Sequence, residues 1–125
     1  VFALSRHINQ TAGRELIPQS VIEKAPSAEL APDQKDTDSL PPYEVLDEIL
    51  KVLIEGSLLD AEDLAVAQST VDALIQNETG RQTLDQVQRL IARSEYKRRQ
   101  APPIIRVRAR AFGTGRQVPI TARQY

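Results

Sequence analysis

The sequence contains no cysteine, methionine or tryptophan, and its only histidine is His7. Without cysteine the chain has neither a disulfide framework nor a thiolate metal site, and a single histidine excludes a histidine-rich zinc site. Aromatic residues make up 4% of the chain, too few for the stacking platforms that bind single-stranded nucleic acid. No acid or hydroxyl partner near His7 in the sequence suggests a catalytic pair, so we interpret His7 as structural.

Long apolar runs and nucleotide-binding loops are missing as well. No apolar run approaches the ~20 residues that span a bilayer, and no basic region followed by an apolar run marks a signal peptide. The glycine-rich phosphate loops GxxxxGK[ST], GxGxxG and SGGxDS are all absent. We therefore expect a cytoplasmic protein that contacts no membrane, and we assign neither a catalytic residue nor a metal ligand within the chain.

Charge is distributed unevenly along the chain, although the net charge is only -1. Residues 29–63 carry eleven acids against Lys35 and Lys51, whereas residues 93–125 carry nine basic residues against Glu95. The cationic end is suited to contact phosphates, an acidic partner surface or the acidic half of this chain.

Hydrophobic residues make up 41% of the chain, and their spacing predicts a mainly α fold with an extended basic tail. Apolar residues already recur at helical spacing from the first position, so we expect the chain to continue upstream. The predicted helices cover residues 1–12 (ending at Gly13), 19–23, 43–55, 60–68 and 70–77, and a last one runs from a capping box at Thr83 and Gln86 to Arg99. Residues 104–110 alternate in a way typical of an extended segment, and residues 112–115 predict a turn.

The proline-rich loop at residues 25–42 is long enough to indicate a function. Lys24 offers a point charge and Ser27 a hydroxyl donor, a combination suited to a polyphosphate, and the nearby carboxylates are suited to a magnesium ion. On residue types alone, a solvated acidic loop explains the same segment.

Residues 94–103 form a second candidate segment. Lys97 can contact a phosphate or carboxylate, and the ring of Tyr96 can stack on a flat heterocycle. The helix dipole, which favours cations near a helix C-terminus, explains the same pattern without a ligand. Asp47 and Glu48 lie on the polar face of their predicted helix, and we interpret them as solvated surface.

Four segments, in this order, resemble NAD synthetases: VFALSRHIN, KAPSAELAPDQKDTDSLPPYEVLDEIL, SEYKRRQAPP and RARAFGTGRQVPITARQY. The last is similar to the tail of the long, glutamine-dependent form. The resemblance implies a Rossmann-like α/β parent domain that works as a homodimer and converts deamido-NAD to NAD. It implies ATP and Mg²⁺ as co-substrate and ion, and ammonia delivered by a separate glutaminase domain. The Mg²⁺ ligands, the ATP loop and the glutaminase cysteine belong to parts of the family's sequence absent here.

The resemblance also implies roles for individual residues. It makes Ser27 an ATP-binding candidate in a lid, and it makes Tyr96 and Lys97 deamido-NAD-binding candidates, with Arg98 and Arg99 available to an interface. It divides the chain into helices leading to the lid (1–24), the ATP lid (25–42), a helical subregion (43–100) and an extended tail (101–125). The segment alone is expected to be inactive. The alternative is a non-enzymatic helical interaction module whose basic tail binds nucleic acid.

Overall fold

The computed structural model describes residues 1–100, 102, 104–110, 115 and 119. The chain separates into two compact units, Val1–Ser39 (unit 1) and Leu40–Tyr125 (unit 2). The described residues form helices and connecting loops and contain no strand. The mainly α prediction is therefore confirmed.

Unit 1 consists of two helices followed by a loop. Helix α1 covers Phe2–Ala12 and ends at Gly13, whose left-handed φ of 62° is the conformation that favours glycine at a helix end. Helix α2 covers Gln19–Glu23, as predicted, and the loop ends in a short 3₁₀ helix at Asp36–Asp38. Among the described residues of unit 1, Ile22 is the only buried hydrophobic residue. Unit 1 therefore has almost no apolar core of its own.

Unit 2 packs three longer helices around an apolar core. Helix α3 covers Tyr43–Leu50 and continues as a π-helical turn at Lys51–Glu55 and a 3₁₀ turn at Gly56–Leu58. Helices α4, α5 and α6 cover Ala61–Ile75, Glu78–Arg93 and Glu95–Arg99. The centre of the core is Ile49, Val71 and Val87, one residue from each of α3, α4 and α5.

The prediction of a helix over residues 43–55 is confirmed in its extent, but its C-terminal part, Lys51–Glu55, is a π turn and not an α-helical one. Residues 51–54 are half-buried and Glu55 is buried. One face of an α-helix does not bury five consecutive side chains. The wider turn therefore accompanies contacts on several sides of the chain, which the spacing of the apolar residues did not indicate.

The prediction of two helices over residues 60–77 is also wrong, because α4 runs unbroken from Ala61 to Ile75. Neither glycine nor proline interrupts this segment, and the Thr70 hydroxyl donates to the Val66 carbonyl at 3.3 Å within the helix. The predicted cap at Asp60 is confirmed, since its side chain accepts from the Asp63 amide at 2.8 Å.

Helix α5 begins five residues before the predicted capping box. Asn77 is its N-cap and accepts from the Gly80 amide at 2.8 Å, whereas Thr83 lies inside the helix and donates to the Thr79 carbonyl at 3.0 Å. A Cβ at Gly80 would lie 2.1 Å from the Leu74 carbonyl oxygen. Only glycine therefore permits this approach of α5 to the end of α4.

The helix predicted to run to Arg99 is interrupted at Ser94, which separates α5 from the short α6. Residues 104–110, predicted as extended, form neither a helix nor a strand and bend at 108–110. The turn predicted at 112–115 lies outside the described residues except for Gly115.

Candidate functional site

Ser27 lies in the loop that follows α2, close to an ion pair. Its Oγ accepts a hydrogen bond from the Glu29 amide at 3.0 Å, and Glu29 has a φ of 55°. The Lys24 ammonium donates to Glu29 Oε1 at 2.7 Å. This hydrogen bond, followed by the charge attraction, raises the pKa of Lys24 and lowers the pKa of Glu29. Since a hydroxyl can accept and donate at once, Ser27 can still donate its proton to a ligand.

Hydrogen bonds close the loop upon itself. The Asp36 amide donates to the Pro26 carbonyl at 2.9 Å, and the Leu30 amide donates to Gln34 Oε1 at 2.9 Å. The loop surrounds an open hollow of about 820 Å³ whose lining includes Lys24, Ser27 and Lys35. The arrangement is that of a compact surface loop whose ends meet, a form frequently used in binding.

Tyr96 and Lys97 lie next to each other on α6 in unit 2. The side chain of Tyr96 is half-exposed and Lys97 is exposed. Glu95 and Arg98, which flank them in the sequence, are buried. Arg98 Nη1 donates to Glu95 Oε2 at 3.1 Å. The short helix therefore turns its aromatic and cationic pair outwards over a buried ion pair.

The basic tail contacts the acidic half of unit 2. Arg108 Nε donates to Glu55 Oε1 at 2.5 Å, and its Nη2 lies 3.5 Å from Asp63 Oδ2. The hydrogen bond to Glu55 is the main reason that the pKa of Arg108 is raised. Arg110 Nη1 donates to the Ile54 carbonyl at 2.6 Å. Phosphates, an acidic partner surface and the acidic half of this chain were the three expected partners of the cationic end. The structure contains the contact with the acidic half of the chain.

Lys51 extends this ionic network. Its ammonium lies 2.9 Å from Glu48 Oε1 and 3.6 Å from Asp63 Oδ1, and the hydrogen bond to Glu48 is the main reason that its pKa is raised. The interpretation of Glu48 as solvated surface is wrong, since its side chain is only 18% exposed. Asp47 is exposed, as expected.

The model of the NAD synthase family matches residues 1–101. The chain belongs to the NAD synthase family. It is 42% identical over 123 residues to the glutamine-dependent NAD(+) synthetase of Thermotoga maritima, covering 98% of this chain and 19% of that protein. It is 43% identical over 120 residues to the synthetases of the same name from Synechocystis sp. and Acinetobacter baylyi, covering 96% of this chain and 19% and 20% of those proteins.

The chain thus spans about a fifth of the length of the curated NAD synthetases that it matches. No solved structure matches it. The resemblance predicted from the four sequence segments is therefore confirmed at the level of the family, and the family match covers the loop and α6 alike.

The candidate residues of this NAD synthase segment are divided between the two units. Ser27 lies in unit 1, and Tyr96 and Lys97 are neighbours in unit 2. All three assignments stay predictions, because they rest on the family resemblance.

The buried pair of Glu95 and Arg98 was not predicted from the sequence, in which Arg98 was only an interface candidate. The available signal was the spacing of three between an acid and a base in a helix, which brings their side chains together. The contact between Thr11 and His7 was not predicted either. The hydroxyl oxygen of Thr11 lies 3.4 Å from Nε2 of His7. Both side chains are exposed, and the contact has the character of a surface pair.

Within the part of the chain that the structure describes, no three acidic or histidine side chains are grouped so that they could hold a metal ion. In the same residues, none of the helices is both long and apolar enough to span a membrane.

Proposed function

We propose that the chain is part of a glutamine-dependent NAD synthetase, a ligase that amidates deamido-NAD with ATP and ammonia derived from glutamine. The family match and the names of the relatives support the assignment. The observation that supports it most strongly is the loop whose open hollow is lined by Lys24, Ser27 and Lys35. The segment alone is inactive in this proposal, since it has no cysteine for glutamine hydrolysis.

In the proposed reaction, the nicotinate carboxylate of deamido-NAD attacks the α-phosphate of ATP and pyrophosphate leaves. Ammonia then displaces AMP from the acyl adenylate to give NAD. The loop acts as a lid: Ser27 donates to a phosphate oxygen, and the two lysines supply positive charge. Closure of the lid excludes water, which would hydrolyse the adenylate.

Helix α6 supplies the second set of contacts. The ammonium of Lys97 binds a carboxylate or phosphate of deamido-NAD, and the half-exposed ring of Tyr96 packs on a flat heterocycle. A magnesium ion has no cluster of ligands among the described residues, so we derive no step through a metal held by this segment. In the proposal, the remaining synthetase sequence, the glutaminase domain and a second subunit complete the enzyme.

The alternative is a helical module whose basic tail binds nucleic acid. Arg108 and Arg110 already donate to Glu55, Asp63 and the Ile54 carbonyl. A nucleic acid would have to replace these bonds, which favours the synthetase. Retention of the chain on DNA that weakens steeply with salt would instead support the alternative.

The test compares variants in a full-length synthetase that carries this segment. Loss of one ligand hydrogen bond should raise a KM about tenfold, the equivalent of ~1.4 kcal/mol. Ser27→Ala should raise the KM for ATP and leave the KM for deamido-NAD unchanged. Lys97→Met should raise the KM for deamido-NAD and leave the KM for ATP unchanged. Ser57→Ala, at an exposed serine, is the control. Unchanged KM values in both variants would contradict the assigned sites.

A further inference from the structure

Helix α6 has two chemically different faces. Glu95 and Arg98 are only 6% and 8% exposed, whereas Tyr96 is 49% exposed and Lys97 is exposed as well. Residues three apart share a face of a helix, and the residues between them point elsewhere. The buried face therefore consists of an ion pair, and the outward face carries the two candidate ligand contacts.

The ion pair is shielded from water. Arg98 Nη1 lies 3.1 Å from Glu95 Oε2, and the more exposed Arg99 reaches the other carboxylate oxygen at 4.0 Å. Arg98 also lines a cavity of about 550 Å³ together with Leu90 and Ile91 of α5. A charge in such surroundings is stable only when it is paired. The bond between Glu95 and Arg98 therefore makes it possible for this charged face of α6 to be turned inwards.

Helix α6 depends on such contacts for its orientation. It has five residues, and a helix of this length is marginal in water without tertiary packing. Ser94 separates it from α5 and is not a side-chain N-cap, so the direction of α6 is not imposed by continuation of the longer helix. A loosened ion pair would leave Tyr96 and Lys97 without a fixed direction.

We propose that the buried pair of Glu95 and Arg98 is a positioning element that holds Tyr96 and Lys97 in the geometry that deamido-NAD requires. The proposal rests on the proposed function, in which these two residues contact deamido-NAD. Glu95 and Arg98 do not touch the substrate in this proposal. They act through the orientation of α6, because a misplaced contact loses most of its binding energy.

The experiment measures steady-state kinetics of a full-length synthetase that carries this segment. Glu95→Gln removes one charge and keeps the shape, and Arg98→Lys keeps the charge and removes the guanidinium. Each should raise the KM for deamido-NAD about tenfold and leave the KM for ATP unchanged. The exchanged pair, Glu95→Arg with Arg98→Glu, restores opposite charges, and its KM for deamido-NAD should be closer to the wild-type value than that of Glu95→Arg or Arg98→Glu alone.

Two results would overturn the proposal: an unchanged KM for deamido-NAD in both single variants, or an equal rise in both KM values, which would indicate general distortion. If Glu95→Gln does not fold, Arg98→Lys, which retains the opposite charges, decides the question. Arg89→Met is the matched control, since Arg89 forms an exposed pair with Asp85 on α5, and it should change neither KM.

Lys97→Met distinguishes a failure of the proposed function from a failure of the positioning role. If it leaves the KM for deamido-NAD unchanged, the assignment of α6 to that substrate fails, and the positioning role fails with it. If Lys97→Met raises this KM and the variants of the ion pair do not, only the positioning role fails.

Discussion

The two units of the molecule are stabilised in different ways. Among the described residues, unit 2 buries four hydrophobic residues, Ile49, Ala67, Val71 and Val87. Unit 1 buries only Ile22, and helix α1 buries none. Burial of apolar area is the main favourable term in folding. The free energy of unfolding of unit 2 therefore comes mainly from its core, whereas unit 1 relies on other contacts.

In unit 1 those contacts are polar and local. Asn9 bonds the backbone of Leu16 and Ile17, and Lys24 bonds Glu29 within the loop. The hydrogen bonds of Asn9 contribute about 1 kcal/mol each in net terms, whereas the exposed pair of Lys24 and Glu29 adds little. Segments with little buried apolar surface open at low cost. The comparison indicates that the loop carrying Ser27 opens at a lower free-energy cost than the core of unit 2.

The largest expected effect is a cavity in the core of unit 2. Ile49 is fully buried, and Ile49→Ala should lower the free energy of unfolding by about 2–5 kcal/mol. Leu4→Ala, at a position 62% exposed in α1, should change it by less than about 0.5 kcal/mol. Urea unfolding followed by the helical circular dichroism signal measures both. Similar losses in the two variants would contradict the difference between the units.

A smaller and local effect is expected at Asn9. Its Oδ1 accepts from the amides of Leu16 and Ile17 at 2.9 Å each, and its Nδ2 donates to the Ile17 carbonyl at 2.8 Å. Asn9→Ala should accelerate amide hydrogen exchange at Leu16 and Ile17 about tenfold, which corresponds to ~1.4 kcal/mol, and leave the core of unit 2 protected.

Asn9→Asp is the matched control for this prediction, because it keeps the acceptor oxygen and replaces the donor NH₂ with a second, negatively charged acceptor. The amides of Leu16 and Ile17 should stay protected in Asn9→Asp. Equal exchange in the wild-type chain and Asn9→Ala would mean that the bonds of Asn9 do not hold the turn after α1.

The elements that were predicted correctly from the sequence are those with a local signal at their ends or in their apolar spacing. Gly13 is such a signal, and both the end of α1 and the bounds of α2 are confirmed. The spacing of the apolar residues likewise predicted α3, and Asp60 predicted the start of α4. Where a boundary is decided by a residue and its immediate neighbours, the pattern was sufficient.

Predictions failed where distant parts of the chain determine the structure. The π turn after α3 accompanies burial on several sides. The start of α5 is an exception, because its signal, the Asn77 side chain that caps the Gly80 amide, is local and was overlooked. Arg108 and Glu55, which are hydrogen-bonded, are 53 residues apart. The uneven charge of the two halves indicated that such a contact was possible, but not which residues form it. The spacing of Glu95 and Arg98 indicated that they can pair, but not that this side of α6 is buried.

The smallest expected effect concerns the ion pair between Lys24 and Glu29, which is exposed to solvent. Since the pKa of Glu29 is lowered, the bridged loop is favoured above the ordinary pKa of glutamate and loses this support as the pH falls through the lowered value. An NMR titration of the Glu29 carboxyl carbon should give a higher midpoint in Lys24→Met than in the wild-type chain. Lys35→Met, a change of another lysine in the same loop, should leave the midpoint where it was. Identical titration midpoints in all three chains would show that the pair does not organise the loop. A raised midpoint of Glu29 in Lys24→Met, without any change in the urea midpoint of unit 2, would confirm that the two units respond separately.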